Sequence, residues 1–88
     1  MKTRTFDVYA DPGHAWAKVK IDYLKKLGIA HEISPYSYSR GEYAYLEEDC
    51  DLSVLVKACR KIGIEPKFKE RYSNKSSKIR SYYSYKAS

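Results

Sequence analysis

The sequence predicts an α+β domain: an antiparallel sheet of about five to six strands in the order ββα-ββα-ββ, with two helices packed on one face. Three observations predict it. Short runs of alternating apolar and polar residues recur between turn signals. One stretch, residues 51–62, repeats apolar residues at helical spacing instead. The connections are short, which favours sequential hairpins over crossovers. At 88 residues there is room for one domain, spanning 1–88, and the 43% hydrophobic and 15% aromatic content suffices for its core. A chain this rich in aromatic residues is not disordered throughout.

Thr3 to Tyr9 reads as the first strand, with Phe6 and Val8 inward and Thr5, Asp7 and Tyr9 outward. Asp11-Pro-Gly-His14 is a turn in which Pro fixes φ at the second position and Gly supplies a positive φ at the third. Trp16 to Ile21 is the second strand, and Trp16 is expected in the core against Leu24 and the second helix. A short helix follows, with Asp22 as N-cap, Leu24 and Leu27 on one face, Lys25 and Lys26 in its last turn and Gly28 as its stop. Ile33 to Tyr38 and Glu42 to Glu47 make a second hairpin around Ser39-Arg40-Gly41. In the helix over 51–62, Leu52, Leu55, Val56, Cys59 and Ile62 form the apolar stripe, Asp49 or Asp51 caps it, and Gly63 ends it. A last hairpin pairs 66–72 with 78–85 around Ser73-Asn-Lys-Ser-Ser77. Tyr23-Leu-Lys-Lys-Leu-Gly-Ile29 echoes Ala58-Cys-Arg-Lys-Ile-Gly-Ile64, as a duplicated unit would.

The net charge of +6 is unevenly placed. Residues 1–64 hold ten basic and nine acidic residues, whereas residues 65–88 hold seven basic and two acidic ones. A charge confined to one end suits a partner surface. On a strand reading Lys67, Lys69 and Arg71 share one face, and Lys78, Arg80 and Tyr82 share another. A hairpin of the two would set five cations beside aromatic rings, the pattern that grips phosphates and unpaired bases. The plainer role of such lysines is to keep an edge strand from pairing with other sheets.

Ten tyrosines are the second oddity. Tyr36, Tyr38, Tyr43 and Tyr45 occupy the central hairpin, two of them expected to pack across strands and two to anchor a partner, and Ser34–Gly41 has the composition of a contact loop. The acidic run Glu47-Glu48-Asp49-Asp51 suits helix capping, a patch for a basic partner, or a divalent metal or carboxylate site completed by His14, Asp11 or His31. Cys50 and Cys59 are not in a metal or redox spacing and fit free thiols in a reducing cytosol. No apolar run of about 20 residues or signal sequence is present, so no membrane association is expected and the chain reads as cytoplasmic. Phosphate-loop and nucleophile-elbow signatures are missing, which argues against an enzyme.

The motifs Asp11-Pro-Gly-His-Ala-Trp16, Leu27-Gly-Ile29, Ile33-Ser-Pro-Tyr-Ser-Tyr38 and Tyr45-Leu-Glu-Glu-Asp-Cys-Asp51 together resemble small uncharacterised proteins carried by bacteriophages and other mobile elements. No activity attaches to that group. The resemblance implies a setting in which small proteins block host machines, including CRISPR and other defence complexes.

The expectation is therefore a non-enzymatic interaction protein without cofactor or metal, an anti-CRISPR-like inhibitor of a host nucleic-acid-handling or defence complex. Lys67, Lys69, Arg71, Lys78 and Arg80 would steer it, and Tyr36, Tyr38 and Tyr82 would anchor it. Direct, weakly sequence-specific nucleic-acid binding through the C-terminal hairpin is the alternative. A small metal-dependent hydrolase built on His14 and the Glu47–Asp51 carboxylates stands third. Monomer and homodimer are both open, the latter by edge pairing in the tyrosine-rich hairpin.

Overall fold

The structure, a computed structural model, describes residues 2–86. Its elements are β1 (Lys2–Ala10), β2 (Ala15–Lys20), α1 (Ile21–Lys26), β3 (Tyr38–Arg40), β4 (Tyr43–Glu47), α2 (Leu52–Lys61), β5 (Ile64–Tyr72) and β6 (Tyr83–Ser84), with 3-10 turns at Ala30–Glu32 and Lys78–Ser81. Among the described residues these strands form one six-stranded sheet in the order β5-β1-β2-β4-β3-β6. The α+β class and the element order agree with the expectation. The wholly antiparallel sheet does not, because β5 runs parallel to β1, from Lys2 opposite Ile64 to Ala10 opposite Tyr72. A parallel partner needs a connection of a dozen or more residues. The stretch between β4 and β5 contains α2, so it is long enough to carry the chain past β2 and β1 to the far edge.

Alternation along the strands sorts side chains onto two faces. Phe6 and Val8 of β1, Ala15, Ala17 and Val19 of β2, and Ala44 and Leu46 of β4 face the helices and pack with Leu24, Leu55 and Cys59. Phe68 of β5 extends this side by lying 6.0 Å from Phe6, ring to ring. The opposite face, here the open face, gathers Tyr9, Trp16, Tyr38, Tyr43 and Tyr45 under Ile79 and Tyr82. Trp16 therefore does not meet Leu24 or α2. It alternates with Ala15 and Ala17, and those small residues occupy the helix-side positions.

Several local expectations are also corrected. The strand expected over Ile33–Tyr38 shrinks to the three residues of β3, because Ser34–Ser37 forms a turn instead. The hairpin of 66–72 with 78–85 is not formed. Its first segment is β5 at one edge, and its second splits into the 3-10 turn and β6, which pairs with β3 at the other edge. Asp22 sits in the first turn of α1, whose N-cap position is Lys20, so it complements the helix dipole without capping. Both cysteines are free, Cys59 buried and Cys50 exposed. Among the described residues no helix is long and apolar enough to cross a membrane.

Asp51 stands at the N-cap position of α2, yet its side chain does not cap the helix. Ser34 donates to it from both backbone N (3.0 Å) and Oγ (2.7 Å), and Ser37 Oγ donates as well. Ser37 Oγ in turn accepts from Glu47 N at 2.9 Å, and Ser37 O accepts from Tyr85 N at 2.8 Å. One buried carboxylate thus ties the 34–37 turn, the end of β4 and the C-terminal strand to the start of α2. Asp51→Ala leaves these buried donors without an acceptor and is expected to cost about 3 kcal/mol. Leu55→Ala, which opens the fully buried core, is expected to cost about 2–5 kcal/mol. Urea unfolding monitored by Trp16 fluorescence checks both, with Glu48→Ala as an exposed control expected within about 0.5 kcal/mol of the parent.

Candidate functional site

The open face carries a cluster of cations. Lys67, Lys69 and Arg71 lie opposite Thr5, Asp7 and Tyr9 in the β1–β5 register, which puts all three cations on this face as expected. The neighbouring strand adds two more, because Lys18 and Lys20 alternate with the core residues Ala17 and Val19 and lie opposite Tyr45 and Tyr43. Lys18 Nζ stands 4.2 Å from the centre of the Tyr43 ring, a cation–π contact. Arg71 is matched to Asp7 at 3.5 Å. No ion pair among the described residues engages Lys18, Lys20, Lys67 or Lys69.

Across this face runs a strap, residues 73–82, from the β5 edge to the β6 edge. Asp11 holds it. Its side chain is buried, and its carboxylate accepts from Gly13 N, His14 N, Ser77 N, Arg80 Nε and Arg80 Nη2, all at 2.8–2.9 Å. The Arg80 guanidinium, lying 5.3 Å from the Trp16 ring, holds the Asp11 carboxyl far below the usual carboxylate range, with the Ser77 N–H acting in the same direction. Gly13 does not adopt the positive φ expected of it. Its role is space, since a Cβ there would meet Arg80 Nη2 at 2.7 Å. Ile79 is buried against Trp16 and Tyr45, and the Tyr82 ring lies 5.1 Å from that of Tyr45. Burial, and then Tyr82, push the Tyr45 hydroxyl above its ordinary pKa.

Under the strap a cleft of about 270 Å³ remains, lined by Tyr9, Tyr45, Tyr82, Ile79, Lys18 and Lys78. Three rings and two ammonium groups converge there. Of the residues singled out in the sequence, Lys67, Lys69 and Arg71 are grouped on one strand, and Lys78 and Tyr82 reach the same face through the strap. Arg80 is neutralised by Asp11 and is not a free cation. Tyr36 and Tyr38 lie apart, in a second cleft at the turn end of the sheet, with His14, Trp16, Glu47, Asp49, Cys50 and Arg80.

That second cleft holds part of the residue set named for the third alternative, a metal site. His14 Nδ1 is 3.4 Å from Glu47 Oε1, and Asp49 N donates to Glu47 Oε2 at 3.1 Å. Asp51 and Asp11 are engaged elsewhere, by the two serines and by Arg80 respectively. The Cys50 thiol is raised above its ordinary pKa, chiefly by the Glu47 carboxylate. Sequence reasoning missed Lys18 and Lys20, although the alternation Trp16-Ala-Lys18-Val-Lys20 carries the signal. Its assignment of Asp11 to turn chemistry holds through the Gly13 and His14 N–H bonds, but it missed that the same carboxylate latches the strap. Comparison with protein-family models, curated proteins and solved structures finds no match to this chain.

The Asp11–Arg80 pair has a defined acid signature. Folding depresses the Asp11 pKa below its ordinary 3.8, so the stabilisation is complete above that value and is lost only as pH falls below it. Wild type is therefore expected to melt above Asp11→Asn by a constant margin from about pH 7 to 5, and the margin should narrow below about pH 4. Thermal melts of both proteins across that range check it. A margin that changed between pH 7 and 5 would assign the effect to another group.

Proposed function

We propose that this chain is a non-catalytic binding module that grips single-stranded nucleic acid across the open face of its sheet. The observation that carries the reading is the register that aligns unpaired Lys67 and Lys69 of β5 with Lys18 and Lys20 of β2, beside the tyrosine-lined cleft. Residues two apart on a strand are about 7 Å apart, so each strand offers a short row of ammonium groups along an extended backbone. Phosphates would meet these rows and release their counterions. Unpaired bases would stack on Tyr9, Tyr45 and Tyr82, which tolerate any base because every base has a π-face. The face has no helix to insert in a major groove, since both helices pack on the other side. The charge that the sequence assigns to a hairpin is thus redistributed over a sheet, and the proposed interface moves with it.

A second reading is favoured by the exposure of Tyr36 (71%) and Tyr83 (82%), large rings left free at the margin of the sheet. In it the protein is a phage-type interaction protein that blocks a host nucleic-acid-handling or defence complex, with these rings as anchors and the basic face in the path of the complex's nucleic acid.

Labelled single-stranded RNA, single-stranded DNA and duplex DNA, titrated at about 50 and 200 mM salt, separate the two. Single strands are expected to bind more tightly than duplex and to weaken steeply at the higher salt. The triple variant Lys18→Glu, Lys67→Glu, Lys69→Glu should lower the slope of log affinity against log salt by about 2, at about 0.7 for each phosphate left without its lysine. No binding to naked nucleic acid at either salt would reject the first reading. The second would then be tested by host-lysate capture with wild type and the triple variant.

A further inference from the structure

The turn end of the sheet carries a site that the basic face does not explain. The β2–β4 register sets Trp16 opposite Glu47, and Glu48 N donates to Ala15 O at 3.0 Å. His14 precedes Trp16 by two residues and Asp49 follows Glu47 by two, so the paired strand ends bring imidazole and carboxylates together. Their backbones are fixed. His14 N donates to Asp11 Oδ1, Asp49 N to Glu47 Oε2, and Asp51 N to Glu47 O. One ligand atom from each of His14, Glu47 and Asp49 lies within 4.8 Å of the other two.

Three features point to a cation there. First, the 3.4 Å between His14 Nδ1 and Glu47 Oε1 is long for a hydrogen bond. It matches the edge of about 3.4 Å expected between two ligands of a tetrahedral ion with bonds near 2.0–2.1 Å. Second, the Glu47 side chain is 9% accessible, and its one ion-pair partner among the described residues is the His14 imidazole at the far end of that long contact, with no Lys or Arg beside it. A carboxylate that far from water requires a compensating charge. Arg80 lines the same cleft, but two of its nitrogens are held by Asp11. Third, Trp16, 1% exposed, forms part of the cleft wall, and its Nε1–H has no partner. A water or anion held by a metal is an acceptor suited to it.

We propose that His14, Glu47 and Asp49 bind a divalent transition-metal cation of the zinc class, leaving a fourth position open to the cleft. One imidazole and two carboxylates balance the ion's charge. The mixed nitrogen and oxygen set with few ligands suits zinc, whereas calcium and magnesium take six or more oxygens. Bound there, the ion clamps the ends of β2 and β4 and presents an electrophilic position beside Tyr36 and Tyr38.

Calorimetric titration of the full chain with Zn²⁺ alone tests the site. Cys50 is exposed in the same cleft and could capture zinc by itself, so wild type and Cys50→Ser are titrated side by side, with His14→Ala and Asp49→Asn made in the Cys50→Ser background. Both mutated ligands are exposed, and circular dichroism verifies that the variants fold. Wild type and Cys50→Ser are expected to bind one Zn²⁺ with the same affinity and to melt higher with it. Each ligand variant should lose at least tenfold in affinity, and Mg²⁺ should leave the melting temperature unchanged. Absence of binding, binding abolished by Cys50→Ser, or equal affinity in the His14 and Asp49 variants would overturn the proposal.

Discussion

The buried carboxylate of Asp11 is the interaction on which the open face depends. It belongs to the turn of the first hairpin, yet three of its five donors come from Ser77 and Arg80, 66 and 69 residues away. A buried charge is tolerated only when paired and hydrogen-bonded, and here the pairing fixes the strap's path. That path covers Trp16, seats Ile79, and delivers the chain to its edge position beside β3. The same contact settles which cations are free: Arg80 serves the fold, and the ammonium groups of Lys18, Lys20, Lys67 and Lys69 stay outside every ion pair among the described residues.

A division of labour follows from strand alternation. One set of alternate residues builds the apolar core with the helices. The other set is released from that duty and carries lysines and tyrosines. The two clefts then differ in chemistry because of where they lie along the strands. The one beneath the strap is aromatic and cationic, and the one at the turn end gathers a histidine and carboxylates from two strand ends. A single sheet face thus offers two chemically different environments, and Arg80 of the Asp11 pair lines the second.

The local parts of this arrangement are legible in the sequence. The inward Leu52, Leu55 and Cys59 of α2, the inward Phe6 and Val8, and the shared face of Lys67, Lys69 and Arg71 are all periodicities within one element. Ile62, expected in the same stripe, lies past the helix end and is exposed. The parallel pairing of β1 with β5 is not legible, because nothing in either strand names a partner some 60 residues distant. The strap reads as a strand because Lys78, Arg80 and Tyr82 alternate. Yet Ser77 caps a 3-10 turn whose single apolar residue, Ile79, turns inward. The size of Trp16 suggests the main core, whereas its neighbours Ala15 and Ala17 take the helix side and leave room for the helices. His14 and Glu47 are 33 residues apart, and only the β2–β4 register joins them.

The parallel β1–β5 pair also dictates the order of events during synthesis. The nine residues of β1 emerge first but gain their outer neighbour only after Ile64–Tyr72 has been made. Asp11 must wait longer still, for Arg80. Contacts so distant along the chain are costly to close and slow to form. Until then the nascent chain has the first hairpin with one bare flank and an uncovered tryptophan, a state prone to pairing with other chains. Once β5 docks it becomes the outer edge of the sheet, and its row of Lys67, Lys69 and Arg71 is the kind of charge that keeps an edge strand from pairing with copies of itself.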